Sequence, residues 1–284
     1  MSHIIGALGT SHAPSIAAAY DSGNQVDPRW ASIFEGFKPA YNWLEKAKPD
    51  TVILVYNDHL NRFRFDTYPT FAWGLGSEYA VADEGRGARA FPPVPGNAAL
   101  SWRLAEQIVD AGFDLTLCQA MTLDHGAMSV LPLLFPRPWP VKVIPLAVNA
   151  ILYPLPSPRR CYELGRAIGN AIARDSGSER IVMMASGGLS HQLHGPDFGF
   201  VNQQWDARFL DLIETQPDVL ANASHQDFVD RGGAESVEMM LWLTMRGALA
   251  TATDSPTRVH RSYSAPGLTG CGVLALEVPG AITT

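Results

Sequence analysis

Four of the eight histidines in this 284-residue chain come at or just after the end of an apolar run. In an open α/β sheet, the carboxyl ends of the strands line the ligand-binding edge. Strands that share a direction would bring these four imidazoles together, so the pattern predicts a shared site. The four are His12 after IIGALGTS, His59 after VILVYND, His125 after LTLCQAMTLD and His191 after IVMMASGGLS. The others lack this setting and are interpreted as structural or surface residues: His3, His194, His225 and His260.

A cluster of imidazoles favours a transition-metal site. Imidazole is a ligand for Zn, Fe and Ni, and two histidines with one carboxylate and open positions are typical of non-haem Fe(II) oxygen chemistry. The sequence lacks GxSxG, GxxxxGK[ST], HExxH and CxxC, the short motifs of several other catalytic classes. A zinc hydrolase with the same ligands stays open as an alternative, because the ligand types alone do not exclude zinc.

The carboxylate of such a site has four candidates, Asp58, Asp124, Glu235 and Glu238. Glu235 and Glu238 are three residues apart in a predicted helix, so they share a face of that helix. The helix is otherwise apolar, and a carboxylate in such surroundings is costly unless it is paired or bound to a metal. Glu235 suits the first turn, where the helix dipole favours an acid. Glu238 is therefore the better ligand candidate.

The elements that must position these residues alternate between strands and helices. Continuous apolar runs bounded by polar residues predict buried strands at 3–10, 51–57, 68–76, 113–119, 141–149, 180–187 and 270–278. Helical periodicity predicts helices at 28–47, 98–112, 157–175, 202–214 and 234–249. Residues 83–97, rich in Gly and Pro, predict a loop. The pattern indicates an α/β fold, a single domain with a central parallel or mixed sheet flanked by helices.

Composition excludes several classes of partner. The net charge is −7 with no basic stripe, which argues against nucleic acid and anionic membranes. The sequence has no run of 18 apolar residues and no recognisable signal peptide. The three cysteines, Cys118, Cys161 and Cys271, are far apart and odd in number, which fits a reducing compartment. We therefore expect a cytoplasmic protein.

Eight motifs, in order over most of the chain, resemble those of the class III extradiol ring-cleavage dioxygenases. The resemblance is to the large catalytic β subunit of the protocatechuate 4,5-dioxygenase type. The motifs are GTSHAP, LVYNDH, PTFA, ADEG, DHG, YPLPSPRRCYELG, GGLSHQLHGP and GGAESVEMMLWLTMRGAL. Each alone is a weak signal, but their shared order makes the resemblance specific. It implies one catalytic domain over residues 1–284.

The resemblance also implies a role for each candidate residue. Fe(II) would be held by His12, His59 and Glu238. His191 would be the acid–base residue, and His125 would lie near dioxygen and the substrate. The implied reaction inserts O2 beside the hydroxyls of a catechol-type aromatic acid. For protocatechuate, the product is 4-carboxy-2-hydroxymuconate semialdehyde. Gallate, a methylated gallate or an aminophenol is the alternative substrate, and a non-catalytic binding protein of the same fold is a rival interpretation.

Substrate contacts and partners follow less directly. A serine of the family helps to hold the ring carboxylate, and alignment on LTGCGVLAL places Gly267 at that position, with Ser264 nearby. Asn57 offers an amide as a further substrate contact. No basic residue is assigned to the pocket from the sequence. Many members of the family have a small α subunit that covers the site, so the resemblance implies such a partner, in a heterotetramer.

Overall fold

The computed structural model describes residues 1–282, in which apolar runs form the strands of a large central sheet. The strands are β1 (His3–Thr10), β2 (Thr51–Tyr56), β3 (Phe71–Gly74), β4 (Glu78–Val81), β5 (Val94–Pro95), β6 (Thr116–Cys118), β7 (Thr122–Leu123), β8 (Lys142–Val148), β9 (Arg180–Ser186), β10 (Thr257–Ser264) and β11 (Cys271–Glu277). Eight of them form one sheet in the order β10-β11-β1-β9-β2-β8-β3-β6. The remaining three form a small sheet in the order β5-β4-β7.

Strand direction makes the large sheet mixed. Strands β1, β9, β2 and β8 are mutually parallel, whereas β11 is antiparallel to β1, and β3 is antiparallel to β8. The carboxyl ends of β1, β9 and β2 therefore meet at one edge. All six residues of β2 are buried, as expected for a central strand covered on both faces. The predicted fold class, an α/β domain with a mixed central sheet flanked by helices, is confirmed.

Helices cover both faces of the sheet. They are α1 (Pro14–Asp21), α2 (Ala31–Ala47), α3 (Ala98–Asp110), α4 (His125–Met128), α5 (Leu131–Leu134), α6 (Pro158–Arg174), α7 (Gln203–Thr215), α8 (Pro217–Ala221), α9 (His225–Gly232) and α10 (Met240–Leu249). A 3₁₀ helix spans Ala234–Met239, directly before α10. No helix among residues 1–282 is long and apolar enough to cross a membrane.

The core lies in two layers, one on each face of the sheet. One layer packs α3, α6, α7 and α10 against the sheet, and the other packs α1, α2, α4 and α5 against the opposite face. Burial of each large aliphatic side chain contributes about 1.5–3 kcal/mol, so these layers supply most of the rigidity at the edge of the sheet.

The contact between α10 and the sheet is unusually close at one point. Trp242 is fully buried, and a Cβ atom added at Gly9 of β1 would collide with its indole ring. The indole Nε1 donates to the backbone carbonyl of Gly187, 3.1 Å away, just past the end of β9. Glycine at position 9 therefore lets α10 pack directly onto β1 and β9.

The predicted elements differ from the observed ones at several places. The helix predicted over 234–249 is divided into the 3₁₀ helix and α10. The loop predicted at 83–97 contains the short strand β5, because Val94 pairs with Tyr79 in the small sheet. Strand β10 was not predicted. It is an edge strand whose Arg258 and Arg261 form ion pairs with α7, so its sequence lacks an apolar run.

Candidate metal centre

Two imidazoles face each other at the carboxyl edge of the central sheet. His12 lies two residues beyond β1, and His59 lies three residues beyond β2. Their Nε2 atoms are 3.2 Å apart, and the ring planes are perpendicular. His12 is 4% exposed, whereas His59 is only half-buried. The edge predicted from the strand pattern thus brings together two residues that are 47 positions apart.

The carboxylate of Glu238 completes a group that we call the ligand set: His12, His59 and Glu238. Its Oε2 lies 3.6 Å from Nε2 of His12, and its Oε1 lies 3.4 Å from Nε2 of His59. Glu238 is 6% exposed, and the backbone N–H of Gly188 donates to its Oε2 at 2.8 Å. Glu235, the rejected candidate, points away to His194 at 2.8 Å.

Hydrogen bonds on the far side of each ring fix the tautomers of the two histidines. The Ser186 hydroxyl donates to the carbonyl of Gly126, so its oxygen accepts a hydrogen bond from Nδ1 of His12 at 3.0 Å. Nδ1 of His59 lies 3.0 Å from the buried carboxylate of Asp124, which also accepts the His59 backbone N–H. With both Nδ1 atoms engaged, each Nε2 faces the centre of the site, where it can bind a metal once it carries no proton.

His125 reaches the same edge from a different element. It is the first residue of α4, whose N-cap is Asp124, and its ring lies 3.8 Å from that of His59 between centroids. Its Nδ1 pairs with Glu84 at 2.6 Å. Ligand atoms of His12, His59 and His125 all lie within 4.8 Å of one another. Three imidazoles therefore converge, and His125 is the most peripheral with respect to Glu238.

His191 approaches the ligand set from the loop after β9. Its Nδ1 lies 2.7 Å from the carbonyl of Leu189, so this nitrogen donates and Nε2 keeps a free lone pair. A Cβ atom added at Gly188 would lie 2.7 Å from Cε1 of His191 and 3.2 Å from Oε2 of Glu238. The absence of a side chain at Gly188 thus allows His191 and Glu238 to come close.

A buried carboxylate holds the backbone that carries His191. Asp206 accepts hydrogen bonds from the backbone N–H of Ser190 at 2.8 Å, the Ser190 hydroxyl at 2.7 Å and the Tyr263 hydroxyl at 2.9 Å. Burial raises the pKa of Asp206, and the hydrogen bonds from Ser190 oppose that rise. These bonds join the His191 loop to α7 and to the edge strand β10.

Burial and the surrounding charges give the two histidines opposite protonation states in the metal-free protein. Burial lowers the pKa of His12 to about 3, although the charge of Glu238 opposes this. Burial also disfavours the charged form of His59, but hydrogen bonds to Asp124 and Glu238 outweigh it and raise the pKa to about 10. Burial favours neutral Glu238, yet the neighbouring His12 and His59 hold its pKa well below the ordinary value. One proton therefore sits on His59, between two carboxylates.

The three residues predicted to contact substrate occupy different surroundings. Asn57 is fully buried, and its amide Nδ2 donates to Oε1 of Glu238 at 3.0 Å. Gly267 lies on an exposed loop with no atom within 4 Å of where a Cβ would be. Ser264 is the half-buried last residue of β10. Asp58, a carboxylate candidate, accepts backbone N–H groups from residues 61–63 and so stabilises a turn.

Several contributing groups were not identified from the sequence. The hydrogen bonds of Ser186, Asp206 and Glu84 join residues far apart in the chain, and the Gly188 N–H carries no side-chain signal. Asp124 was considered as a ligand but not as the partner of His59. An available signal was its position directly before His125, where it also caps α4 through the N–H of Gly126.

The donor atoms fit a divalent metal ion. Metal–ligand bonds of about 2.1 Å at ordinary coordination angles place donor atoms roughly 3.0–3.4 Å apart. The observed separations in the ligand set are 3.2, 3.4 and 3.6 Å. Two imidazole nitrogens with one carboxylate suit Fe(II) or Zn(II), and the second hydrogen bonds on each histidine are those typical of metal ligands.

Comparison with known proteins matches most of the chain to one family. The family model described as the catalytic LigB subunit of aromatic ring-opening dioxygenase matches residues 6–273. A gallate dioxygenase of Pseudomonas putida KT2440 is 40% identical over 199 residues, which are 69% of this chain and 58% of that protein. The chain thus spans little more than half of that relative's length.

More distant relatives extend over nearly the whole chain. A 2,3-dihydroxyphenylpropionate/2,3-dihydroxicinnamic acid 1,2-dioxygenase of Mycolicibacterium paratuberculosis is 28% identical, covering 91% of this chain and 94% of its own. The crystal structure of an uncharacterized protein from Escherichia coli K12 superposes with a TM-score of 0.55 at 16% identity, covering 95% of this chain and 99% of that one, and this likeness supports the fold alone. With the family model matching residues 6–273, the chain belongs to the family of catalytic LigB subunits of aromatic ring-opening dioxygenases.

Proposed function

We propose that this protein is an Fe(II)-dependent extradiol dioxygenase that opens the ring of a catechol-type aromatic acid, with residues 1–284 as one catalytic domain. The observation that carries the proposal is the convergence of two imidazole Nε2 atoms and one buried carboxylate within 3.6 Å in a member of this family. Two histidines and one carboxylate leave coordination positions open, which non-haem Fe(II) oxygen chemistry requires.

His12, His59 and Glu238 would hold the metal. When bound, Fe(II) supplies Lewis acidity and redox chemistry toward the catechol and dioxygen. Asn57 orients Glu238, and Asp124 orients His59, through the hydrogen bonds described above. These buried partners fix the ligand atoms before the metal arrives, which favours a defined coordination geometry.

His191 would serve as the acid–base residue through its Nε2 atom. Because Nδ1 donates to the carbonyl of Leu189, Nε2 has the lone pair needed to take a proton from a substrate hydroxyl. The same atom can return that proton when the ring opens. His125, whose Nδ1 is engaged by Glu84, would present its other nitrogen to the substrate and dioxygen.

For the substrate we propose protocatechuate, opened to 4-carboxy-2-hydroxymuconate semialdehyde. The gallate dioxygenase among the relatives supports gallate as the second candidate. Both are aromatic acids with adjacent hydroxyls. Each therefore requires a site with a metal that binds the hydroxyls and a group that binds the carboxylate.

A small α subunit is the proposed partner, in a heterotetramer. Support comes from apolar side chains exposed on loops at the carboxyl edge of the sheet. Those after β2, β8 and β9 and before β11 carry the following exposed side chains: Phe65, Tyr153, Leu193, Phe198, Phe200 and Leu268. Exposed apolar side chains that share one edge are typical of a surface that another chain covers.

Anaerobic reconstitution tests the proposed function. We expect the Fe(II)-loaded protein to consume O2 and form a yellow ring-opened product with protocatechuate, in assays with and without the α subunit. Gallate, catechol and an aminophenol are offered in parallel to rank substrates. The Zn(II)-loaded protein is the matched control. Turnover with Zn(II) alone, or no O2 uptake with any of these compounds, would contradict the proposal.

Metal affinity should increase with pH, because metal and proton compete for His59. The pKa of His59 in the metal-free protein is about 10, above its ordinary value of 6.5, so this histidine is protonated at pH 7. His12, with a pKa of about 3, is already neutral. The metal dissociation constant should therefore fall about tenfold per pH unit between roughly pH 6.5 and 9, with one proton released per metal.

Chelator competition with Co(II) as the spectroscopic probe measures this slope. The His194→Gln variant is the control, because His194 pairs with Glu235 outside the ligand set and its loss should leave the slope unchanged. The stability of the metal-free fold changes with pH in the opposite direction to metal affinity, because the charged form of His59 stabilises that fold. That contribution is complete below pH 6.5 and is lost as the pH rises through 10. A dissociation constant independent of pH would show that His59 carries no proton.

A further inference from the structure

A cavity of about 310 Å³ lies beside the ligand set. Its wall includes Ala13, directly after His12, and Thr269, whose backbone pairs with that of His191. Cγ2 of Thr269 lies 3.1 Å from the point where a Cβ on Gly188 would be, and His191 and Glu238 approach the same point. The cavity is therefore lined by residues that adjoin His12 and His191.

This cavity is lined mostly by apolar side chains, together with Ser15, Thr269 and one exposed cation. Arg29 is the single charged residue among the lining residues within 1–282, and it precedes Trp30 at the start of α2. Within the same described residues, no carboxylate lies within 4.0 Å of its guanidinium. Its recorded hydrogen bond comes from the backbone N–H, to Asp27, and the guanidinium carbon lies 5.0 Å from the Trp30 ring centroid.

We propose that Arg29 is a specificity-determining residue that binds the ionised carboxylate of an aromatic acid substrate. The inference rests on the proposed function and deepens it. Guanidinium binds carboxylate through paired charge-assisted hydrogen bonds, and an arginine without an acidic partner has its donors free for that purpose. The apolar wall accommodates the ring, while the ring hydroxyls face the ligand set.

The other candidates for this task do not fit the cavity as well. Ser264 is not among the lining residues, and Gly267, which is, has no side chain with which to bind an anion. The open space around Gly267 instead leaves room for the ring substituent. The protein carries a net charge of −7, so an anionic substrate needs a local positive charge to favour its binding.

The test compares the binding of 3,4-dihydroxybenzoate and of catechol to the metal-loaded full-length protein, measured anaerobically by calorimetry. Arg29→Gln should weaken binding of the acid roughly 10- to 100-fold, the scale of a lost hydrogen bond between charged groups. Catechol binding should change less than about threefold, because catechol has no carboxylate for Arg29 to bind. Arg29→Lys should restore part of the preference, since it keeps the charge but not the planar pair of donors.

Arg208→Gln is the matched control, an exposed arginine on α7 whose loss changes the net charge equally. It should behave as the wild type. An unchanged ratio of acid to catechol affinity in Arg29→Gln overturns the inference, as does a wild type without preference for the acid. O2 uptake with catechol keeps the two proposals separate. If the wild type consumes none with any catechol, the dioxygenase proposal fails, while the affinity ratio still tests Arg29.

Discussion

Replacement of His191 by alanine should leave metal and catechol binding intact and lower kcat roughly 100- to 10,000-fold, the usual contribution of general acid–base catalysis. The side chain is buried, and its Nδ1 donates to the Leu189 carbonyl of its own loop; within residues 1–282 no hydrogen bond joins it to His12 or His59. Its loss therefore removes the proton acceptor without removing a ligand. The measurement is kcat by O2 uptake, with metal content determined on the same samples.

Two controls make the His191 result specific. Metal content should equal that of the wild type, and anaerobic catechol binding should change only slightly. The His194→Gln variant removes a neighbouring imidazole that is exposed and paired with Glu235, and its kcat should be unchanged. Loss of metal from His191→Ala would show that this residue is a ligand and would contradict the assigned role.

Replacement of His59 by alanine should abolish metal binding and, with it, all turnover. The proposed ligand set is His12, His59 and Glu238, and the loss of His59 leaves two of these three ligands. Asp124→Asn should have a smaller effect, about 10- to 100-fold weaker metal binding, because it weakens the hydrogen bond that orients His59 without removing the ligand. Metal titration of the wild type, His59→Ala and Asp124→Asn gives the order of their metal affinities.

The order of the metal affinities distinguishes a residue that binds the metal from a residue that orients a ligand. Asp124 also caps α4, so thermal unfolding of the metal-free variants is measured in parallel to identify a loss of fold. Asp227→Asn is the control, because Asp227 also stabilises a helix start: it accepts hydrogen bonds from the backbone N–H and the hydroxyl of Ser224, the N-cap of α9. Equal metal affinity in wild type and His59→Ala would overturn the proposed ligand set.

The positions of the site residues could be predicted because strand direction determines which ends meet. His12, His59 and His191 each follow a strand of the parallel group β1, β2 and β9, so an apolar run ending in histidine was sufficient. His125 reaches the same edge for a different reason. The strand before it belongs to the small sheet, and α4 carries the histidine inward. The strand pattern therefore predicted that His125 lies at this edge, but the argument was incomplete, because His125 does not follow a strand of the central sheet.

Hydrogen-bond partners and the specificity pocket could not be predicted in the same way. Ser186 lies 174 residues from His12, and nothing in either local sequence indicates that one will orient the other. Arg29 lies in a polar connection before α2, where an arginine ordinarily faces solvent. Arg29 is indeed exposed, and only the tertiary structure shows that it lines a cavity together with Thr269 and Leu193. These hydrogen bonds and this cavity depend on tertiary contacts, which the hydrophobic periodicity of the sequence does not reveal.

The close contact of Gly9 with Trp242 has a consequence for how the family can change its sequence. Glu238 lies four residues before Trp242, and His12 lies three residues after Gly9, so this apolar contact joins the two segments that carry these proposed ligands. A methyl group at position 9 would displace the indole and, with it, the carboxylate. The geometry of the proposed metal site thus depends on Gly9, a residue that has no side chain. A substitution at Gly9 can therefore disturb the proposed metal site even when every proposed ligand is retained.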